Sequence, residues 1–142
     1  MPAPCIRKFQ MPQDYQPAAQ LWQSMEKGVH VGASDSAEEI EKKLLRDPDL
    51  FLVAELDGAL IGTVIGGFDG RRGFIYHLAV HADHREQGIA SSLMEEVERR
   101  LRIKGCRRCY LFVTPDNPEA MRYYERRGWI VMDNLPYAKD LV

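Results

Sequence analysis

The sequence predicts an α/β fold of the α+β kind, with a mixed, mostly antiparallel central sheet flanked by helices. Three observations predict it. Two apolar, β-rich runs, Leu50 to Leu56 and Ala59 to Phe68, are joined by Asp57-Gly58, and a third run follows a glycine-rich turn. Gly88 to Lys104 carries apolar residues at three- and four-residue steps, the spacing of one helical face. Beyond it, strand-like and helix-like stretches alternate. Antiparallel strands followed by β-α-β units make a mixed sheet with helices packed on it. At 142 residues the chain has the size of one domain, spanning 1–142.

The elements follow in order. Ile6 to Phe9 reads as a short strand. Asp14 to Met25 reads as a helix with Tyr15, Leu21, Trp22 and Met25 as apolar contacts, and Pro17 fits near its start. Lys27 to Asp35 is a loop with two glycines. Ser36 and Glu39 have the spacing of a capping box, and Ile40, Leu44 and Leu45 give the helix they open its apolar face. Asp57-Gly58 suits a type I′ turn, because both central positions need positive φ. Asp69 to Gly73 is a turn, and Phe74 to Val80 completes a three-stranded meander.

In the long helix, Ile89, Leu93, Met94, Val97 and Leu101 fall on one face. Glu95–Arg99, Glu96–Arg100 and Glu98–Arg102 are i,i+4 pairs in the favourable order. Gly105 ends the helix as a C-cap. Tyr110 to Thr114 is a strand, Asn117-Pro118 an N-cap with proline at the first helical position, and Gly128 the stop of that helix. Strands are expected at Trp129 to Met132 and Tyr137 to Leu141.

Composition narrows the function. The chain is 45% hydrophobic and 28% charged, ordinary for a globular protein, with a formal net charge of −2. That balance argues against a dedicated nucleic-acid binder. The apolar run Leu50 to Ala54 is far shorter than the ~20 residues of a membrane span. The first residues show no apolar signal region, and three cysteines cannot close a disulfide framework. The expectation is a reduced, cytoplasmic protein. Up to Phe68 the chain has 6 basic and 10 acidic residues; after it, 13 and 11. A basic half suits phosphates, and an acidic half suits a cationic partner.

Between the fourth strand and the long helix lies Val80-His81-Ala82-Asp83-His84-Arg85-Glu86-Gln87-Gly88-Ile89-Ala90-Ser91-Ser92. A helix's first turn has free N–H groups and a partial positive charge, so it holds anions. Gly88 lets backbone approach a ligand, Ala90 keeps bulk away, and N–H groups from Gln87 to Ser91 suit a pyrophosphate. There is no G-x-x-x-x-G-K-[ST] and no G-x-G-x-x-G after a strand, so neither an NTPase loop nor a dinucleotide fold is supported.

Arg85-Glu86-Gln87-Gly88-Ile89-Ala90 is similar to the [RQ]-x-x-G-x-[GA] signature of the GNAT acetyltransferase superfamily. Asn117 to Trp129 (NPEAMRYYERRGW) resembles a second segment of that family, N-x-x-A-x-x-x-Y-E-x-x-G-[FW]. The element order matches from about Ile6 onward. Glu86 departs from the pattern, standing where many members have glycine; it is expected to face solvent. The resemblance implies acetyl-CoA as co-substrate, without a metal, bound where the fourth and fifth strands splay. Leu78, Ala79 and Val80 would pair with pantetheine through their backbone. Gln87, Gly88, Ala90 and Ser91 would hold the pyrophosphate with Arg85 nearby, and Asn117 would contact the cofactor.

The resemblance also implies acetyl transfer to a primary amine, with Tyr124 as general acid. A phenol has pKa ~10 and a thiol ~8.5, so protonating the thiolate is uphill by about 2 kcal/mol, a gap that Arg126 or Arg127 nearby would narrow. Asn117 and Tyr124 lie two helical turns apart and share one face, while Tyr123 points roughly 100° away, toward packing. The amine needs a base. His77 on the fourth strand is one candidate, since histidine is the side chain most often used as a base. Glu55 shares the face of Val53 and Phe51, where burial would raise its pKa. The sequence does not choose between them. Asp35, Glu38 and Glu39 point to a cationic acceptor, a small molecule or a protein amine. A homodimer is common in the family. The alternative is a non-catalytic acetyl-CoA-binding sensor or interaction module. Cys106-x-x-Cys109 lacks the second ligand pair of a zinc site and lies between a helix and a strand, which disfavours redox or metal roles.

Overall fold

A computed structural model describes residues 3–142. Five strands form one sheet in the order β1 (Cys5–Lys8), β2 (Phe51–Leu56), β3 (Ala59–Phe68), β4 (Gly73–Val80), β5 (Cys109–Tyr110). The first four are antiparallel neighbours, and β4 pairs with β5 in parallel. The helices are α1 (Tyr15–Ser24), α2 (Ala37–Arg46), α3 (Ile89–Ile103) and α4 (Pro118–Arg126). Short 3-10 turns occupy Ala33–Asp35 and Ala82–His84. The mixed, mostly antiparallel sheet flanked by helices is thus the observed architecture.

Period-2 alternation explains both faces of the sheet. Phe51, Val53 and Ile65 cluster with Ala18, Leu21 and Trp22 of α1 and Ile40 of α2. Gly62 and Gly66, on the opposite face of β3, lie against Leu93 and Val97 of α3. Those two side chains, with Ile89, Met94 and Leu101, are all buried, and each is worth about 1.5–3 kcal/mol against exposure. The Asp57-Gly58 turn has φ of 50° and 81°, the positive pair that a type I′ hairpin needs. Ser36 caps α2 by accepting the Glu39 N–H at 3.3 Å.

The contacts divide the chain into two compact units, Met1–Phe112 and Val113–Val142. The second holds α4, opened by Asn117, whose Oδ1 accepts the Ala120 N–H at 3.2 Å. The two strands expected at Trp129 to Met132 and Tyr137 to Leu141 are not formed. Ile130, Val131, Tyr137 and Leu141 are exposed, so no buried face offsets the ordering of these segments. The fifth strand is likewise cut from the expected Tyr110 to Thr114 to two residues. No described helix is long and apolar enough to cross a membrane.

Candidate functional site

The free edge of β4 is the starting point. β5 pairs only with Gly73 and Phe74, and among the described residues no strand lies against that edge from Ile75 to Val80. Leu78, Ala79 and Val80 therefore stand on an open edge where alternate residues turn their backbone groups outward, the arrangement that takes an extended ligand by strand addition. On its other side β4 pairs with β3, but with a fault. Thr63 opposes Ala79 and Ile65 opposes Tyr76, so His77 and Leu78 together face Val64. This is a β-bulge, and His77 takes a left-handed φ of 49° to make it. Such a conformation costs a non-glycine residue energy and persists only where neighbours enforce it. The buried Thr63 Oγ1 is one such neighbour. It donates to the His77 carbonyl at 2.8 Å and accepts the Trp22 indole N–H at 2.9 Å.

The end of β4 leads into the start of α3. Ser92 N–H to Gly88 C=O, 3.0 Å, is the first bond of that helix. Among the described residues, no main-chain carbonyl accepts from the N–H groups of Gly88, Ile89 or Ala90. Glu86 and Gly88 are both left-handed, at φ 59° and 80°, a local geometry that turns successive N–H groups to one side. Glu86 is exposed. Arg85 folds back toward the strand, its Nε donating to the Val80 carbonyl at 3.3 Å and its Nη2 reaching the Met25 sulfur at 3.6 Å. Gln87 and Ser91 flank the same turn. The first unit thus brings together Leu78, Ala79, Val80, Arg85, Gln87, Gly88, Ala90 and Ser91 along one strand end and one helix start.

His77 is mostly buried, with 14% of its side chain exposed. Its Nε2 lies 2.7 Å from Asp35 Oδ1, and its ring meets the Trp22 ring edge to face, with centroids 4.8 Å apart. Asp35 is buried, and its second oxygen accepts the Gly32 N–H at 2.9 Å. Tyr15 Oη donates to the Asp35 carbonyl at 2.8 Å. By sequence Asp35 groups with Glu38 and Glu39 as acids that suit a cationic acceptor. The fold turns it inward instead, and Glu39 is paired with Lys42 at 2.8 Å. Nothing in the sequence separates Asp35 from the solvated acids around it.

Glu55 does not occupy the buried position expected from its alternation with Val53. Its side chain is 35% exposed and sits 3.2 Å from Arg7. That arginine also forks onto both oxygens of Asp14, at 2.7 and 2.9 Å. Burial disfavours the charged form of Asp14, yet Arg7 and the Gln10 N–H hold its pKa below the usual carboxylate range. Glu55 thus joins a clamp between β1, β2 and the start of α1.

The second unit holds Asn117 and Tyr124. Asn117 caps α4, as described. Tyr124 packs edge to face on Tyr123 and Trp129, with ring centroids 5.3 and 5.9 Å away. Burial, with Tyr123 as a lesser cause, pushes its phenol up to about 12. The narrowing of the acid–thiolate gap expected from Arg126 or Arg127 is therefore not found: burial and Tyr123 both act the other way. Tyr123 is itself half-buried, with the Arg127 guanidinium over its ring at 5.6 Å. Elsewhere, burial, Cys106 and Glu98 push the Cys109 thiol up to about 11. A thiol so rarely ionised makes a poor nucleophile or metal ligand near neutrality.

Comparison with known proteins agrees with this geometry. Residues 14–129 match the model of the Acetyltransferase (GNAT) family. An acetyltransferase of Yersinia enterocolitica is 37% identical over 137 residues, covering 96% of this chain and 95% of the relative. The PaiA N-acetyltransferase of Thermoplasma acidophilum, solved in complex with coenzyme A, superposes with a TM-score of 0.82 at 21% identity, over 94% of this chain and 93% of that one. AAC(6')-Iy, solved with a bisubstrate analogue, CoA-S-monomethyl-acetylneamine, gives 0.76 at 20% identity, over 99% and 100%. A sheet that opens beyond Phe74, a bulged fourth strand and a helix start with unbonded amides thus coincide with the matched residues, and the chain belongs to the GNAT acetyltransferase family.

Proposed function

We propose that this chain moves an acetyl group from acetyl-CoA to a primary amine by direct attack, with residues 1–142 acting as one catalytic domain. The observation that carries this reading is the open edge of β4 running straight into a helix start where, among the described residues, no main-chain carbonyl accepts from the Gly88, Ile89 and Ala90 N–H groups. An extended amide-bearing arm fits the first, and a pyrophosphate fits the second. Leu78, Ala79 and Val80 would bind the arm, and the amides of Gln87, Gly88, Ala90 and Ser91 the phosphates. Arg85, close to that turn, would add charge, and Asn117 would contact the co-substrate from the opening of α4. Backbone N–H groups of β4 would face the oxyanion, where fixed donors act without reorganising.

His77 is the base we favour, because Glu55 is engaged by Arg7 while the His77 ring lies at the bulge beside the open edge. Tyr124 would supply the proton to the departing thiolate. With its phenol near 12 and a thiol near 8.5, the transfer is uphill by on the order of 5 kcal/mol in the free protein. Tyr124 therefore acts best by donating a hydrogen bond to the developing thiolate, completing transfer only as product forms. The amine acceptor class is supported by the relative solved with an aminoglycoside-based bisubstrate analogue.

The test is thiol release with a panel of primary amines, alongside calorimetric binding of coenzyme A. Tyr124→Phe should lower kcat about 10- to 100-fold, at or below the usual range for a general acid, with coenzyme A affinity unchanged. Binding of coenzyme A without thiol release for any amine would replace the transfer reading with that of a cofactor sensor.

A further inference from the structure

The buried contact between the loop after α1 and the bulge in β4 has a consequence for proton transfer. We propose that Asp35 is a positioning residue for His77, fixing the ring in the tautomer whose free nitrogen accepts the amine's proton. The proposal rests on the reading of His77 as the base.

A neutral imidazole has one N–H and one lone pair, and the partner of one nitrogen decides which is which. The His77 Nε2 stands 2.7 Å from a carboxylate oxygen, so Nε2 carries the hydrogen and donates. Nδ1 is then the lone-pair nitrogen, and among the described residues no group hydrogen-bonds to it. Asp35 is itself immobilised. Its Oδ2 takes the Gly32 N–H, and its carbonyl takes the Tyr15 hydroxyl. Trp22 fixes the ring plane from the side, and Thr63 fixes the His77 carbonyl from β3. A base on a strained, left-handed residue is thus held from its ring, its carbonyl and its partner carboxylate at once.

The amine lone pair forms the N–C bond to the thioester carbonyl, and one amine proton passes to Nδ1. As the tetrahedral carbon collapses, the C–S bond breaks and its electron pair leaves with sulfur as thiolate. Asp35 keeps its charge and stabilises the imidazolium made in between, so it orients the base without touching the substrate.

The experiment joins NMR of 15N-histidine-labelled protein with steady-state kinetics. Long-range 15N–1H spectra identify the tautomer, and loss of one histidine signal set in His77→Gln assigns it. The wild type should show Nε2–H for His77. Asp35→Asn, which keeps the size and an acceptor for the Gly32 N–H, should shift His77 toward Nδ1–H. It should also lower kcat at least 10-fold with the KM for acetyl-CoA and the melting temperature nearly unchanged. Asp35→Glu should recover part of kcat together with the Nε2–H tautomer. An Nδ1–H wild type, or Asp35→Asn at full kcat while His77→Gln is impaired, overturns the role of Asp35 alone. Full kcat in His77→Gln overturns the base assignment beneath it.

Discussion

Gly66 stands on β3 directly under α3. A Cβ built there would lie 2.7 Å from Val97 Cγ2 and 3.4 Å from the Leu50 carbonyl oxygen. The first distance is well inside contact and the second leaves no retreat, so the added methyl has to push the helix or the strand. Gly66→Ala should cost about 1–3 kcal/mol, read as a lower denaturation midpoint. Adding Val97→Ala should return part of the loss, because the two side chains share one space. The same scale shows what one residue's letter conveys. Gly88 was legible, since its place before a helix demands little beyond φ freedom, which the structure uses. Asp35 was not, because a buried carboxylate and a solvated one look alike until the residue 42 positions away is brought beside it.

Elements carry their information in periodicity, and periodicity locates a face more reliably than it locates a fault. The meander, its turn and the apolar stripe of α3 follow from spacing alone. The bulge at His77 and Leu78 does not, because the strand reads as an unbroken β-rich run. The tail failed for a related reason. Trp129 to Met132 and Tyr137 to Leu141 have strand composition, but a strand exists only if a neighbour takes its hydrogen bonds and covers a face. One hydroxyl on β3 holds the backbone side of the bulge. Thr63→Val keeps the shape but leaves the Trp22 N–H and the His77 carbonyl without their partner, each worth roughly 1–3 kcal/mol when buried. We expect a total loss of about 2–6 kcal/mol by urea denaturation. Faster amide exchange at Leu78 and Ala79 should accompany it, and Thr63→Ser, which keeps the hydroxyl, should protect those amides.

At the scale of the whole molecule, a formal net charge of −2 conceals ion pairs that tie distant segments. Arg7 joins β1 to Asp14 ahead of α1. Glu96 accepts from Arg99 and Arg100, while Arg100 also reaches the Asp49 carbonyl before β2. The i,i+4 spacing announces Glu96–Arg100, whereas the link to Asp49 depends on tertiary approach. Arg99 and Arg100 hold the Glu96 carboxyl down at about 2, against an ordinary value of 4.5. A carboxylate with a depressed folded-state pKa stabilises the native state fully above its unfolded-state pKa. That stabilisation is lost as pH falls toward the folded-state value. The window for Glu96 is therefore pH 4.5 down to about 2, and Asp14, also depressed, adds to the decline below its ordinary 3.8. Solvent screening limits the Glu96 share to about 1 kcal/mol. Urea midpoints measured from pH 6 to 2.5 should fall steadily below pH 4.5 in the wild type. Glu96→Gln should start lower at pH 6 and fall less, so that the two curves converge near pH 2.5. Parallel curves would place the acid sensitivity in other carboxylates and leave Glu96 as a solvated surface charge.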